Sequence, residues 1–463
     1  MSPVVRSIRD VAERQLCSGC GACAYVAPEA VRMVDDLDQG RRPLVRDGAD
    51  TRAALAVCPG AALDAPPRVA GAVPALVRGW GNVLEVWEGH AADPDVRFRA
   101  SSGGAATALA RFGLEGGGMS GVLHIAARDD VPYLNETRLS TTAEALLAAV
   151  GSRYAPASPC DGLGAVEAAP GPCVFIGKPC DVAATHKARA LRPELDTKLG
   201  VTIAIFCAGT PSTRGTLEML ARMGFDDPDA VDAVRYRGHG WPGRATAQAG
   251  GREASLSYHE SWGEVLQRFV PWRCRVCPDH TGELADLSVG DPWYHGEPPA
   301  GEPGRSLVVV RTERGRRFLA AALAAGALVL ERADPSTLPR SQPNLLRVRG
   351  AVFGRVLTSR LLGAAAPRFR GFRLFTVWLL DLSLKERAQA FYGTVKRVFT
   401  KALRVRVPVR PFTPSAPRVP AATAGKREQL RLMARLEEFT DKQNPVMVPT
   451  PDEDVPLEDR RTG

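Results

Sequence analysis

The chain lacks the sequence features of an exported or membrane-spanning protein. Its N-terminus, MSPVVRSIRD, has no apolar segment that would mark it for export. The longest apolar candidate for a span, Leu374 to Leu380, is far shorter than a bilayer requires. Ten cysteines without an export signal argue against a disulfide scaffold, because such thiols stay reduced in the cytoplasm. We therefore expect a cytoplasmic protein.

A recognisable nucleic-acid-binding module is also missing. The net charge is only +9, and the cations are unevenly spread. Residues 385–406 contain seven lysines and arginines against one acid, Glu386, with little aromatic interleaving. This concentration favours an acidic partner or an anionic surface over nucleic acid.

The composition is that of a soluble globular protein. Of its residues, 45% are hydrophobic and 24% are charged. The length of 463 residues is enough for two or three domains, each with its own hydrophobic core.

A further absence lies inside the first cysteine motif. Residues 17–28 read CSGCGACAYVAP, so Cys17, Cys20 and Cys23 have the spacing of bacterial ferredoxins, but Ala27 stands where the fourth cysteine would precede Pro28. In two-cluster ferredoxins that fourth cysteine ligates the other cluster. The motif thus predicts one cluster, with Cys58 of the distant Cys58-Pro59 pair as its fourth ligand.

Structural zinc ligands or free thiols are the alternative interpretation. Zinc sites usually combine paired CxxC motifs or cysteine with histidine, and the nearest histidine, His90, is far along the chain. The spacing therefore favours an iron–sulfur cluster over zinc.

Four more cysteines form a second possible set. Cys180 (FIGKPCD) and Cys207 (IAIFCAG) each follow an apolar stretch typical of a strand, and the carboxyl ends of parallel strands share one edge of a sheet. Cys274 and Cys277 form a CxxC that could complete a second 4Fe-4S site. Cys180 and Cys207, each considered alone, would be interpreted as small buried hydrophobic residues, but together with the CxxC they favour the cluster. Cys160 and Cys173, which remain, are expected to pack in the core.

Between these sets the sequence alternates strands with helices. Short apolar runs at 121–126, 173–176, 201–206 and 307–310 predict strands, and residues 141–150, 182–191 and 213–223 predict helices. This pattern indicates a mixed α/β fold whose sheet has substantial parallel pairing.

The C-terminal part has a different pattern. Apolar residues recur at helical spacing from Leu384 to Ala402, with basic residues between them. Such an amphipathic helix could dock on membrane lipid or pack on its own protein or a partner. A Pro-rich stretch and an acidic end follow, which we expect to be mostly disordered apart from a short helix at 427–438.

Two small-residue segments could hold a phosphate-bearing cofactor. Ser101-Ser102-Gly103-Gly104 opens a helix, whose N-terminal amides favour anions. Gly151-Ser152-Arg153-Tyr154 offers a cation and an aromatic ring. Neither segment is specific alone, but flavins commonly link one-electron carriers to two-electron chemistry.

In order along the chain, RASSGG, GSRYAP, FIGKPCD, FCAG and CRVCPDHTGELADLSVGDPW resemble one family. It comprises the beta subunits of coenzyme F420 hydrogenases and dehydrogenases. Relatives include 7-hydroxymethyl chlorophyll a reductase and ferredoxin-dependent divinyl chlorophyllide reductases. The resemblance covers roughly residues 10–345, and the block around ELADLSVGD is its most specific part.

The resemblance implies an iron–sulfur flavoprotein with FAD and two 4Fe-4S clusters. The flavin would lie near Ser101, Ser102, Gly103, Gly104, Ser152, Arg153, Tyr154, Gly177 and Lys178. The clusters would be held by Cys17, Cys20, Cys23 and Cys58, and by Cys180, Cys207, Cys274 and Cys277. Proton-relay, flavin-orienting and structural roles stay open for Glu283, Asp286 and Asp291.

The implied activity is electron transfer from a ferredoxin-like donor to an organic substrate or a deazaflavin. The alternative is a subunit that only passes electrons to a partner hydrogenase, dehydrogenase or biosynthetic enzyme. The expected organisation is a ferredoxin-like module (1–65), two parts of a flavin domain (80–165 and 166–346), a basic helical extension (347–407) and a tail (408–463).

Overall fold

The computed structural model describes residues 3–294 and 303–414. The tail helix expected at 427–438 lies outside these residues. The strands are β1 (Val31–Asp36), β2 (Gly40–Val45), β3 (Ala62–Asp64), β4 (Glu85–Ala91), β5 (Gly121–Ala127), β6 (Asn135–Ser140), β7 (Cys173–Gly177), β8 (Leu199–Ile205), β9 (Ala233–Arg235), β10 (Ala245–Ala249), β11 (Arg252–Leu256), β12 (Leu287–Gly290), β13 (Ser306–Val310), β14 (Leu328–Ala333) and β15 (Arg368–Arg370).

The helices alternate with these strands. They are α1 (Ile8–Glu13), α2 (Ala22–Val26), α3 (Arg52–Ala56), α4 (Val77–Trp80), α5 (Pro94–Arg99), α6 (Ala105–Glu115), α7 (Ala143–Leu147), α8 (Leu163–Glu167), α9 (Pro179–Arg189), α10 (Pro193–Lys198), α11 (Thr213–Arg222), α12 (Trp272–Arg275), α13 (Glu313–Ala324), α14 (Thr337–Ser341), α15 (Pro343–Leu361), α16 (Leu374–Asp381) and α17 (Leu384–Thr400). Short 3-10 segments occur at Pro159–Gly162, Pro228–Ala230 and Leu266–Phe269, and a π-helical turn at His259–Val265.

An eight-stranded mixed sheet forms the centre, in the order β14-β4-β13-β12-β8-β7-β5-β6. The inner strands β12, β8, β7 and β5 run parallel, and the remaining neighbours pair antiparallel. The α/β class and the four predicted strands are confirmed. The sheet takes strands from both 80–165 and 166–346, so these two parts share one core.

Helices cover both faces of this sheet. Val122 and Val174 pack with α6 and α13, whereas the next residues, Leu123 and Phe175, pack with α9 and α10. Successive side chains of a strand point to opposite faces, which explains why these buried strands read as continuous apolar runs.

The helix expected at 141–150 is shorter, since α7 ends at Leu147. Only Leu146 of this helix is buried, and a short helix without a packed apolar face has little to stabilise it. Residues 149–155 leave the helix and line a cavity.

The C-terminal extension packs against the N-terminal module. Val398 and Leu403 share a core with Cys17, Cys23 and Cys58, and β15 pairs in parallel with β3. Among the described residues, none of the helices combines the length and apolar character needed to cross a membrane.

Candidate functional site

The first four cysteines converge in the N-terminal module. Cys20 precedes α2 and Cys23 lies in its first turn, and Cys17 and Cys58 follow α1 and α3. All four are buried and none forms a disulfide. Burial raises the pKa of Cys58 to about 12, with further contributions from the nearby Cys20 and Cys17 thiols. Burial also raises the pKa of Cys23, again with Cys20, Cys17 and Cys58 adding to the rise, so the four sulfur atoms are mutual neighbours.

The second four cysteines converge at the carboxyl edge of the parallel strands. Cys207 follows β8, Cys180 lies in the first turn of α9, and Cys274 and Cys277 come from α12 and the residues after it. Burial raises the pKa of Cys207 to about 12, and Cys274 and Cys277 raise it further. Desolvation also raises the pKa of the half-buried Cys180, and Cys207 and Cys277 add to the rise. These thiols are less enclosed than the first set, and Cys207 lines a cavity.

Neither set is arranged as a site for a single metal ion. Across the described residues, no group of three or more His, Cys, Asp or Glu side chains could hold one ion. A 4Fe-4S cluster is larger than one ion, so its thiolates lie farther apart. Thiolates are also the ligands that such clusters use. The chemistry of both donor sets therefore fits a cluster.

Arg273 lies between the two sets. It is only 2% exposed, its Nη2 donates to the carbonyl of Pro59 at 3.1 Å, and its Nε has no hydrogen-bond partner. Among the described residues, no carboxylate lies within ion-pair distance of this guanidinium. Burial opposes its charge, yet the Cys277 and Cys180 thiols raise its pKa, and its charge reaches Cys17 as well. A buried cation without a carboxylate requires another source of negative charge.

Cys160 connects the two sets on another side. Its backbone N–H donates to the carbonyl of Cys20 at 2.9 Å, and its Sγ donates to the carbonyl of Asp181, the neighbour of Cys180, at 3.3 Å. Cys160 and Cys173 are both fully buried, in agreement with the expected packing. Their surroundings differ, because the Sγ atom of Cys173 contacts neither set and makes only a weak hydrogen bond to the carbonyl of Gly171.

A cavity of about 310 Å³ opens beside the second set. Ser101, Ser102, Gly104, Gly151, Ser152, Arg153, Tyr154, Gly177 and Lys178 line it. Gly103 does not line it, because this residue packs on the backbone of residues 89 and 305–306. The Ser152 N–H donates to Ser101 Oγ at 2.6 Å, which joins the two predicted segments.

Gly104, at the N-terminus of α6, and Lys178 both line this cavity. Gly104 adopts a φ of +79° at the start of α6, a conformation that favours glycine, and so directs the helix N-terminus at the cavity. Lys178 Nζ donates to Asp181 Oδ2 at 2.7 Å. Burial opposes the charge of Lys178, but Asp181 and the Cys180 thiol raise its pKa, so the amine stays protonated.

The guanidinium of Arg153, which the sequence predicts to lie near the flavin, is occupied by hydrogen bonds to the protein itself. Its guanidinium donates to Asn135 Oδ1 at 2.7 Å and to the carbonyls of Val234 and Pro132 at 2.9 and 2.6 Å. The side chain therefore holds the loop that lines the cavity.

An aromatic wall with a buried ion pair closes the other side of the cavity. Arg237 forms a bidentate pair with Asp291 at 2.8 and 2.9 Å, and lies over the rings of Tyr258 and Trp293 at 5.0 and 5.5 Å. Trp241 Nε1 donates to the same carboxylate at 2.8 Å. Arg237 could not be identified from the sequence, because an isolated arginine in YRGHGWP carries no recognisable signal.

The three acids of the ELADLSVGD region differ in position. Asp291 lines the cavity as the partner of Arg237, whereas Glu283 pairs with the buried Arg349, and Asp286 accepts from Thr202 N and Oγ1 at 2.9 Å. Glu283 and Asp286 do not line the cavity. Their contacts are those of structural groups.

Removing the Glu283 carboxylate should destabilise the fold. Glu283→Gln leaves Arg349 buried without a counter-ion, which costs about 3–5 kcal/mol of unfolding free energy. Asp381→Asn is the matched control, because its partner Arg78 is 45% exposed and such pairs contribute less than about 1 kcal/mol. Denaturant unfolding measures the free energy of unfolding of both variants. An equal decrease in the two variants would mean that the buried pair of Glu283 and Arg349 stabilises the fold no more than an exposed pair does.

Two family models match the chain, and both describe the beta subunit of coenzyme F420 hydrogenase/dehydrogenase. The model of its N-terminal part matches residues 86–163, and the model of its C-terminal part matches residues 172–336. Together they cover the central sheet, the cavity and the second cysteine set.

Curated relatives carry the same description. The chain is 26% identical over 269 residues to the coenzyme F420 hydrogenase subunit beta of Methanococcus voltae, covering 55% of this chain and 86% of that protein. Its counterpart in Methanosarcina barkeri is 24% identical over 256 residues, covering 53% and 81%. A solved structure of the F420-reducing [NiFe] hydrogenase complex from Methanosarcina barkeri aligns with a TM-score of 0.49 at 22% identity, covering 62% of this chain and 97% of that chain.

Proposed function

Because the chain belongs to the coenzyme F420 hydrogenase/dehydrogenase beta subunit family, we propose that it is an iron–sulfur flavoprotein oxidoreductase. It takes electrons from a ferredoxin-like donor or a partner redox subunit and delivers them to an organic substrate or a deazaflavin. The observation that carries this proposal is the presence of two four-thiol sets, of which the first is buried and the second is half-buried and borders the cavity.

Each thiol set holds one 4Fe-4S cluster in this proposal. The donor chemistry supports it, and so does Arg273, whose buried charge has no carboxylate partner among the described residues. Ligated cysteines are thiolates, so the clusters supply the negative charge that Arg273 requires.

FAD occupies the cavity in this proposal and supplies the exchange between one-electron and two-electron chemistry. The α6 N-terminus and the Ser101 and Ser102 loop bind its phosphates, as helix N-termini do for many anions. Lys178 lies beside the second cysteine set, where its charge offsets those of its partner Asp181 and of ligated Cys180 and Cys207.

The aromatic wall acts on the substrate side of the cavity. The rings of Tyr258 and Trp293 stack on each other at 5.2 Å, and both line the cavity, where they exclude water. Asp291 accepts from Arg237 and Trp241, so it serves to orient the wall.

Filling the cavity should remove the flavin and leave the iron. Ala106 lies in the first turn of α6 and lines the cavity, so Ala106→Trp occupies space that FAD needs. Ala221→Trp is the control, because Ala221 is exposed on α11. Flavin released from the denatured proteins is measured by fluorescence. Ala106→Trp should retain less than about a tenth of the flavin of Ala221→Trp, with unchanged iron. Equal flavin in both would place FAD elsewhere.

A second candidate is an electron-transfer subunit without substrate chemistry of its own. The names of the curated relatives favour it, because both describe subunits of a hydrogenase. Anaerobic turnover of the isolated chain separates the two. Reduction of an added deazaflavin or dye by reduced ferredoxin supports a free-standing reductase. Reduction of the bound flavin without turnover supports the subunit.

A further inference from the structure

Exposed apolar side chains concentrate on the C-terminal extension. Ten of the fourteen large hydrophobic residues that are exposed among the described residues lie between 357 and 405: Leu357, Leu361, Phe375, Leu379, Leu380, Leu384, Tyr392, Val395, Phe399 and Val405. Several are nearly uncovered, with Leu384 at 78% and Tyr392 at 76% exposed. Contiguous exposed apolar surface is uncommon on monomeric proteins and marks an interaction surface.

On α17 these residues form one stripe. Leu384, Tyr392, Val395 and Phe399 are spaced so that they share one face of the helix. A neighbouring face, with Thr394 among its residues, is buried against the protein. The helix therefore has two apolar faces, of which only one is packed.

Lysines flank this stripe. Lys385 and Lys396 lie at the border of the exposed face, and both are exposed. Across residues 347–406 there are fourteen lysines and arginines against two acids, a net charge of +12, compared with +9 for the whole chain. Both acids are engaged, since Asp381 pairs with Arg78 and Glu386 caps α17.

A groove of about 350 Å³ lies in the same extension, between α15 and α16. Leu357 and Phe375, two of the exposed residues, line it together with Phe353. Arg360 and Arg373 also line it, and neither forms an ion pair within the described part of the chain. An apolar groove with unpaired cations suits an amphiphile that has an anionic head group.

We propose that this surface, formed by α15, α16 and α17, docks the protein on an anionic phospholipid bilayer. Exposed aliphatic and aromatic residues enter the boundary between head groups and acyl chains, while the cations meet the anionic head groups. The protein stays peripheral, and the docking is independent of the proposed redox function.

The charge distribution favours lipid over protein occupants. A second copy of this chain would bring two strongly cationic surfaces together, which is unfavourable. Residues 415–463 carry eight cations and nine acids, so this segment cannot neutralise the extension. An acidic redox partner would match the cations, but it would also have to present an apolar surface complementary to the stripe, whereas a bilayer presents both features to any shape.

Vesicle flotation of the full chain tests the proposal. We expect binding to vesicles of phosphatidylcholine with phosphatidylglycerol, and little binding to phosphatidylcholine alone, with affinity falling as salt rises. Lys385→Glu with Lys396→Glu should weaken binding at least about thirtyfold. Leu384→Glu with Phe399→Glu should also reduce it strongly. Leu191→Glu is the control, because Leu191 is 48% exposed outside the extension.

The same variants also show whether the surface binds a protein partner or a second copy of the chain. A chain ending at residue 414 should bind vesicles at least as well as the full chain. Absence of binding by both forms would overturn the proposal. If the variants bind vesicles normally but lose reduction by ferredoxin, the surface belongs to an acidic protein. If they change the mass of the protein in solution, it belongs to a second copy.

Discussion

Cys58→Ala should remove about half of the iron from the protein. Cys58 is 8% exposed, and its thiol neighbours those of Cys20 and Cys17. Loss of one ligand of four should empty the first site, so iron should fall from about eight to about four atoms per chain. The second cysteine set and the cavity lie outside this site, so flavin content should stay unchanged.

A variant of the second cysteine set, together with a control, shows which iron belongs to which site. Cys277→Ala should empty the second site and leave about four irons at the first. Cys173→Ala is the matched control, because Cys173 is a fully buried cysteine that belongs to neither set. Iron analysis on anaerobically purified protein, with electron paramagnetic resonance of the reduced forms, gives the answer. Full iron content in Cys58→Ala would show that Cys58 is not a ligand of the first cluster.

Arg273→Met should lower the reduction potentials of the two clusters. The guanidinium is buried between the thiol sets, and reduction adds negative charge that this cation stabilises. A buried unit charge close to such a group contributes a few kcal/mol at an effective dielectric constant of about 20. For a one-electron couple this corresponds to roughly 100 mV, with about 59 mV for each tenfold change in the equilibrium constant.

Potentiometric reduction followed by electron paramagnetic resonance measures this shift. Arg268→Met is the control, because Arg268 is exposed nearby on the same segment. Arg273→Lys keeps the charge and should recover most of the potential. Unchanged potentials in Arg273→Met, with full iron content, would mean that Arg273 serves only packing.

The ligand sets could be inferred from local sequence because their chemistry is local. Cys17, Cys20 and Cys23 have a fixed spacing, and Cys207 stands where an apolar strand ends. The strand edge then brings Cys180 and Cys207 together although 27 positions separate them. The assignment of each set to a cluster stays a prediction that iron analysis tests.

The residues around the sets could not be inferred in the same way. Arg273 and Arg237 derive their importance from burial beside charges that are distant in sequence. Strand β4 contains two glutamates and a histidine, so it does not read as a buried strand, yet it pairs with both β13 and β14. Long-range pairing overrides local propensity at such positions.

The apolar stripe of α17 shows a further limit. Its helical period was evident from the sequence, but the period alone cannot tell which of two apolar faces is packed. The structure shows that Val398 packs with the N-terminal module, whereas Leu384 and Phe399 remain exposed.

The most direct test of the central claim is the iron, acid-labile sulfide and flavin content of anaerobically purified protein, recorded with its visible spectrum. We expect about eight irons, about eight sulfides and one FAD per chain, with the broad absorption of iron–sulfur clusters beneath the flavin bands. Zinc in place of iron, without flavin, in protein never exposed to oxygen would contradict it.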